Sequence, residues 1–405
     1  MIKKIEIHNY RSCYSTSIDF DGNVCALIGK NGVGKTNILK CIQWLASAVV
    51  ISEQMWANFS TLSRFVPDKT TVRVHLALDP NAYEYVVEVP VDLGGSNGPD
   101  NGLAETLTLR RGHDASTVVF RRLGEEVKIF GRNDPIRVNR WTPSIGALLS
   151  LLPSSDPIMN NLSEVAAFLK KVHYYPLDEA SSQEDVVTEH MYNDWLVKCN
   201  SDGSLTGSSS CRLIFMWEND KDLFNEFQAL IGPEGLGILT QLKIFTVTSG
   251  SLDTQSGGFT NGTTTKFYLP RFRPAAQMGG YNSNYPFAFS DLSAGTRRVI
   301  QIVVSLLFDK RSVMLIEQPE DSIHPGLLRK LIDLLRSYSD RSQIIFATHS
   351  SEVLDMLRPE EVLMVTAPEG RTEARKLSGD EVSQAERFLK NEGSLSEFLE
   401  PFDES

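Results

Sequence analysis

The order of apolar and polar positions divides the chain into stretches of different period. Residues 2–7 alternate apolar with charged or polar side chains, and residues 23–28 (NVCALI) form a short apolar run that stops at a glycine. Both predict strands. Over residues 37–51 the period changes: Ile38, Leu39, Ile42, Trp44 and Leu45 fall at helical spacing, which predicts a helix directly after the glycine-rich loop between them. From residue 71 to 131 the segments VRVHLAL, YEYVVEVPV, LTLRR, STVVFRRL and EVKIF are rich in β-formers and are separated by turn residues such as GGSNGP at 94–99. That is the pattern of an antiparallel sheet of hairpins. Helical periodicity returns over about 144–172, and an apolar helix ends at Phe308. Two further apolar runs, SVMLI at 312–316 and QIIFA at 343–347, predict strands. Residues 200–210 and 249–265 are dense in Gly, Ser, Thr and Asn and predict long surface loops, as tolerated insertions or mobile lids. There is no internal repeat and no long heptad stretch.

Composition bounds this picture without changing it. At 405 residues, 41% hydrophobic and 22% charged, the chain can form one large domain with insertions or two lobes. A net charge of -11 and a pI near 5.3 argue against a surface whose main task is to coat nucleic acid, and leave room for a local basic groove. The five cysteines are spaced too irregularly for a CxxC metal pattern or a disulfide framework, which fits a reducing cytoplasm. The N-terminus lacks the apolar core of a signal peptide, and residues 299–308 are too few to span a bilayer. The expected protein is soluble and cytoplasmic, with no membrane partner.

The chemistry begins at GKNGVGKT, residues 29–36, which satisfies G-x-x-x-x-G-K-[ST] between an apolar strand and an amphipathic helix. Gly29, Gly32 and Gly34 let the backbone turn its N–H groups inward on phosphate oxygens, with Lys30, Asn31 and Val33 completing the loop. Lys35 is expected to reach the β- and γ-phosphates, and Thr36 to offer its hydroxyl to Mg²⁺. A glycine turn with no ligand is the plainer alternative, and the flanking strand and helix speak against it. LSAGTRR at 292–298 opens a second helix, where Ser293 and Gly295 form either a phosphate clamp or an ordinary N-cap. Glu317 ends one apolar strand, where a carboxylate can hold Mg²⁺ beside the loop. His349 follows the other, where a histidine is either structural or placed to touch a γ-phosphate.

Strand, P-loop, β-rich insert, LSxG, acidic strand end and histidine strand end follow one another in the order of ABC-type ATPases. NYRSC at 9–13, GKNGVGKTNIL, LSAGTRR, EQPEDSIHP at 317–325 and ATHSSEVLD at 347–355 resemble the ATPase part of OLD (overcoming-lysogenisation-defect) proteins and the related PtuA- and AriA-like anti-phage ATPases. The resemblance implies an α/β, ABC-type P-loop ATPase head with an antiparallel β-rich subdomain and a helical insert. Along the chain this divides into an N-terminal core part at 1–70, a β subdomain at 71–135, a helical, loop-rich insert at 136–275, a C-terminal core part at 276–370 and an acidic tail at 371–405. It makes residues 29–36 the Walker A loop, Ser293 and Gly295 the signature, Glu317 the Mg²⁺-directed Walker B acid and His349 the switch histidine. Arg11 matches an arginine near the nucleotide in related ATPases, against the alternative of a surface arginine.

One position departs from that family pattern. Gln318 stands where a carboxylate usually polarises the attacking water, and an amide can orient water but cannot take its proton. The expectation is good ATP binding with poor hydrolysis. A deliberate glutamate-to-glutamine change that traps the ATP state is the favoured reading, beside a naturally slow ATPase and Glu320 serving as the base instead.

The resemblance further implies an ATP-linked homodimer or higher oligomer in which each signature closes the other chain's site. It also implies a separate effector, a nuclease, and a nucleic acid or phage protein as trigger. Two rival readings are a RecF- or SMC-like DNA-repair ATPase and the nucleotide-binding subunit of a transporter.

Overall fold

The computed structural model describes residues 1–46, 69–90, 102–111, 116–175, 185–202, 208–249, 265–275, 286–391 and 393–403. The turn expected at 94–99 and residues 203–207 and 250–264 of the two expected loops lie outside the described residues, while the ends of the first loop fall in helices, Glu189–Asp202 and Ser209–Asn219. The chain divides into two compact units: Met1–Leu177 with Arg311–Glu320 and Arg336–Ser405, and Asp178–Lys310 with Asp321–Leu335.

The first unit holds two sheets. Among the described residues, eight strands form the antiparallel one: β1 (Ile2–Tyr10), β2 (Cys13–Asp19), β4 (Thr70–Leu78), β5 (Asn81–Val89), β6 (Ala104–Arg110), β7 (Thr117–Leu123), β8 (Glu126–Ile129) and β9 (Ile136–Arg137). They run in the order β2-β1-β4-β5-β6-β7-β8-β9. The two-residue period decides which side chains are buried. Val72, Val74 and Leu76 of β4 and Tyr83, Tyr85, Val87 and Val89 of β5 line the core, and the residues between them face outward. The outward face carries a ladder of charges, with Arg73 bound to Glu6 at 2.9 Å and to Glu84 at 3.2 Å. The inward face also encloses one ion pair, Arg122 with Glu105 at 2.8 Å, both side chains fully buried. Glu105 accepts further bonds from the Tyr85 hydroxyl and from Ser144 N–H and Oγ–H, while Arg122 donates to the carbonyls of Gly124 and Asn139. The pair is thus supplied with hydrogen-bond partners on both sides, as buried polar groups require.

The second sheet of this unit carries the chemistry. It comprises β3 (Val24–Ile28), β10 (Val172–Tyr175), β14 (Val313–Glu317), β15 (Gln343–Thr348), β16 (Val362–Thr366) and β17 (Glu373–Lys376), in the order β10-β14-β15-β3-β16-β17. All neighbours pair in parallel except β17, which runs antiparallel on the edge. VCALI and QIIFAT are buried at every residue and VMLI at all four, the continuous apolar signature of strands covered on both faces. Gln343 ties the two sheets: its side chain accepts from Ile2 N–H at 2.8 Å and donates to Ile2 O at 3.0 Å. Helix α1 (Lys35–Ala46) opens immediately after the loop, and α2 (Ser144–Leu151) and α3 (Met159–Leu169) follow the antiparallel sheet. The stretch 371–405, expected as an acidic tail, contains β17 and two further helices, Gly379–Asn391 and Leu395–Asp403. Leu395 and Leu399 anchor the last helix by burial.

The second unit contains helices at Glu189–Asp202, Ser209–Asn219, Lys221–Ile231 and Ala294–Phe308. It also holds a small sheet, β11-β13-β12, built from β11 (Val187–Thr188), β12 (Leu239–Ser249) and β13 (Thr265–Pro274). The insert expected as helix and loop therefore includes a long antiparallel β12–β13 ribbon. Buried Arg212 is held inside this unit by Ser305 at 3.1 Å and Asp309 at 3.4 Å.

Candidate nucleotide site

Parallel pairing brings the carboxyl ends of β3, β14 and β15 to one edge. Glu317 lies opposite Ala347, and Thr348 opposite Ile28. Motifs far apart in sequence are thereby gathered where open α/β sheets bind ligands. The loop Gly29–Lys30–Asn31–Gly32–Val33–Gly34 leaves β3 and delivers Lys35 and Thr36 to the first turn of α1. Gly34 is required twice over. Its φ is +105°, and a Cβ there would stand 2.0 Å from Thr372 Oγ1 and 2.7 Å from Ser12 Oγ. Gly29 is packed as tightly, since a Cβ would meet Val365 O at 2.1 Å. Lys35 is buried, and its ammonium donates to the carbonyls of Gly29 and Lys30 (2.8 Å for the latter), which meets the need of a desolvated cation for acceptors. A cavity of about 180 Å³ opens over this turn, lined by the loop, Thr36, Asn37, Glu317 and Gln318.

The carboxylate and the hydroxyl meet. Thr36 Oγ1 donates to Glu317 Oε1, and on the other side Tyr174 of β10 donates its phenol to Glu317 Oε2. Burial first, and then the neighbouring carboxylate, push the ionisation of Tyr174 well above the ordinary phenol range, so it remains a donor. Thr36 and Glu317 supply the hard oxygen ligands that Mg²⁺ takes. Among the described residues there is no cluster of three or more His, Cys, Asp or Glu suited to a metal.

Next to Glu317 the backbone turns sharply: Gln318 has φ +44°, a left-handed conformation uncommon outside glycine, and its N–H donates to Ala347 O at 2.8 Å. This turn aims the Gln318 amide at His349 Nδ1, 3.1 Å away. His349 is 43% exposed, and Glu320 Oε1 stands 3.9 Å from the same ring nitrogen while accepting from Thr348 Oγ1 at 2.6 Å. Backbone strain of this kind is typical of working sites.

Arg11, itself at φ +50°, donates to Asn37 Oδ1 at 3.2 Å, and Asn37 donates to Ser12 Oγ at 2.7 Å. The arginine is thus fixed against the first turn of α1, beside a residue that lines the cavity. Thr372, buried, donates its hydroxyl to Val33 O at 2.7 Å, with Ser12 Oγ also 2.7 Å from its oxygen, and braces the loop from behind. A second cavity of about 500 Å³ lies between the loop's outer side, His349 and the last helix, with Glu397, Leu399 and Glu400 on its wall. Tyr174 and Thr372 were not among the residues singled out from sequence.

Ser293 and Gly295 belong to the second unit. There Ser293 caps the helix Ala294–Phe308, its Oγ accepting from Thr296 N–H at 3.2 Å. Gly295 lets the helix pass close to another segment, because a Cβ would lie 2.0 Å from Ser322 O. The N-cap alternative raised from sequence describes the serine as it stands in this structure, its hydroxyl taken up by Thr296.

The family model described as "AAA ATPase domain" matches residues 1–75, and that described as "AAA domain, putative AbiEii toxin, Type IV TA system" matches residues 261–355. The two cover residues 29–36, Ser293, Gly295, Glu317 and His349. Over these two segments the chain is similar to AAA-type P-loop ATPase domains. A relative named "DNA replication and repair protein RecF", from a Nocardioides species, is 30% identical over 96 residues, an alignment spanning 24% of this chain and 22% of RecF. The ATPase chain thus aligns with only about a fifth of that relative's length. The crystal structure of an Smc head bound to the C-winged helix domain of ScpA has a TM-score of 0.54 and 14% identity, covering 94% of this chain and 98% of that one. The likeness is one of fold. The SMC head domain from Thermotoga maritima gives 0.40 and 13%, covering 93% and 99%. Among the described residues no helix is long and apolar enough to cross a membrane.

Proposed function

We propose that this ATPase binds ATP with Mg²⁺ at Gly29–Thr36 and Glu317, that a second copy completes the site with Ser293 and Gly295, and that occupancy controls a separate effector, a nuclease, in anti-phage defence. The observation that carries the reading is the meeting at one sheet edge of the P-loop, Glu317, Gln318 and His349. The edge offers groups suited to holding MgATP, while an amide stands where a proton acceptor for water is expected. Such a site holds nucleotide longer than it turns it over, so ATP serves as the glue of a closed dimer. The match of OLD-, PtuA- and AriA-like motifs supports the anti-phage role, by analogy of family.

The RecF alignment supports a second reading, an ATPase that acts on duplex DNA without an effector. Light scattering with and without ATP tests the first. The wild type is expected to double in mass on adding MgATP, and Lys35→Ala and Ser293→Arg each to stay monomeric. Closure that survives both changes sinks the composite site. ATP-dependent, salt-sensitive binding to duplex DNA by the purified chain alone favours the RecF-like role instead.

A further inference from the structure

We propose that Tyr174 is the positioning residue for the Mg²⁺-directed carboxylate, an assignment that rests on the nucleotide-site reading above. Strand β10 lies at the sheet edge beside β14 and pairs with it in parallel, Tyr174 opposite Leu315 and Tyr175 opposite Ile316. From that register the half-buried Tyr174 extends its phenol past the end of β14 to Glu317 Oε2. Thr36 holds Oε1. A carboxylate on a terminal sp³–sp² torsion turns easily between two faces. With its outer oxygen held by a fixed phenol, Glu317 presents the inner oxygen to the P-loop turn, where the cation would join Thr36. Thr36 would also lend its hydroxyl oxygen to the cation, whereas Tyr174 gives its phenol to the carboxylate. Tyr174 lies outside the metal-directed pair of Thr36 and Glu317. It acts only through Glu317, as outer hydrogen-bond partners of metal ligands generally do, and loss of such a partner typically costs 10- to 100-fold in metal affinity.

The test is Tyr174→Phe, which removes one oxygen and leaves the ring in place. Binding of a fluorescent ATP analogue is followed by anisotropy in EDTA and then across a Mg²⁺ titration at fixed nucleotide. The expected result is metal-free binding within twofold of wild type and a Mg²⁺ midpoint raised about 10-fold. In a Glu317→Gln background the same change is expected to add nothing. An unchanged midpoint overturns the assignment, as does a shift of equal size with Glu317→Gln already present. Loss of metal-free binding as well marks a structural role and overturns it too. If wild type itself gains nothing from Mg²⁺, the nucleotide-site reading falls and takes Tyr174 with it. If wild type gains and Tyr174→Phe titrates like wild type, only the tyrosine's role falls.

Discussion

Replacing Gln318 by glutamate asks whether the site lacks only a proton acceptor. The backbone at 318 is held by its own N–H on Ala347 O and by a left-handed φ of +44°. Neither depends on the amide, so the substitution changes a single terminal group. A positioned general base contributes typically 10²- to 10⁴-fold, about 3 to 5 kcal/mol of barrier. His349 is 43% exposed, and water around an open site weakens the effect of any charge placed there, so the gain is expected near the lower end, about 10²-fold. The contact with His349 inverts at the same time: a carboxylate must accept from Nδ1–H, whereas the amide can donate to a bare Nδ1. The assay is steady-state phosphate release at saturating MgATP, beside a single-turnover measurement that separates chemistry from product release. A change below threefold in both refutes the reasoning. Glu320 then becomes the acceptor to test, since its Oε2 is buried without a hydrogen-bond partner among the described residues; Glu320→Gln would abolish whatever turnover remains.

Two further outcomes follow from the packing. Arg122→Met leaves Glu105 charged and buried without its counter-ion, and breaking such a pair costs about 3–5 kcal/mol; the urea midpoint of the unit holding the antiparallel sheet is expected to drop accordingly, and a loss under about 1 kcal/mol contradicts the role given to the pair. Gly34→Ala drives a Cβ to 2.0 Å from Thr372 Oγ1 at a φ of +105°; ATP binding measured by calorimetry should fall at least about 10-fold, the effect of losing roughly 1.4 kcal/mol, and affinity equal to wild type would show that the loop does not need this close approach.

Legibility in the sequence followed how locally each feature is encoded. The P-loop is contiguous, and its strand and helix carry their own periods, so β3, the loop and the start of α1 stand where the pattern puts them. Glu317 and His349 were readable because each ends a fully apolar run, and parallel pairing then brings those runs together. Tyr174 was not readable. Its strand has four residues, follows a helical stretch, and acquires meaning only by pairing with β14 far along the chain. Thr372 was hidden in a segment whose acidic composition reads as a tail, although a single buried hydroxyl there supports the P-loop. The β12–β13 ribbon was obscured by its Gly/Ser-rich middle, which dominated the composition of that stretch. Ser293 carried two meanings from the start, and the capping one is what its contacts with Thr296 show.

The claim on which the rest depends is that one chain's P-loop works with another chain's signature. Mixing two defective variants tests it most directly. Lys35→Ala spoils the P-loop and spares the signature, while Ser293→Arg does the reverse, so a mixed pair contains one intact composite site and one doubly damaged site. By light scattering with MgATP, each variant alone should remain monomeric and the equimolar mixture should form dimers. A mixture as monomeric as its components, with the wild type dimerising under the same conditions, would contradict the account.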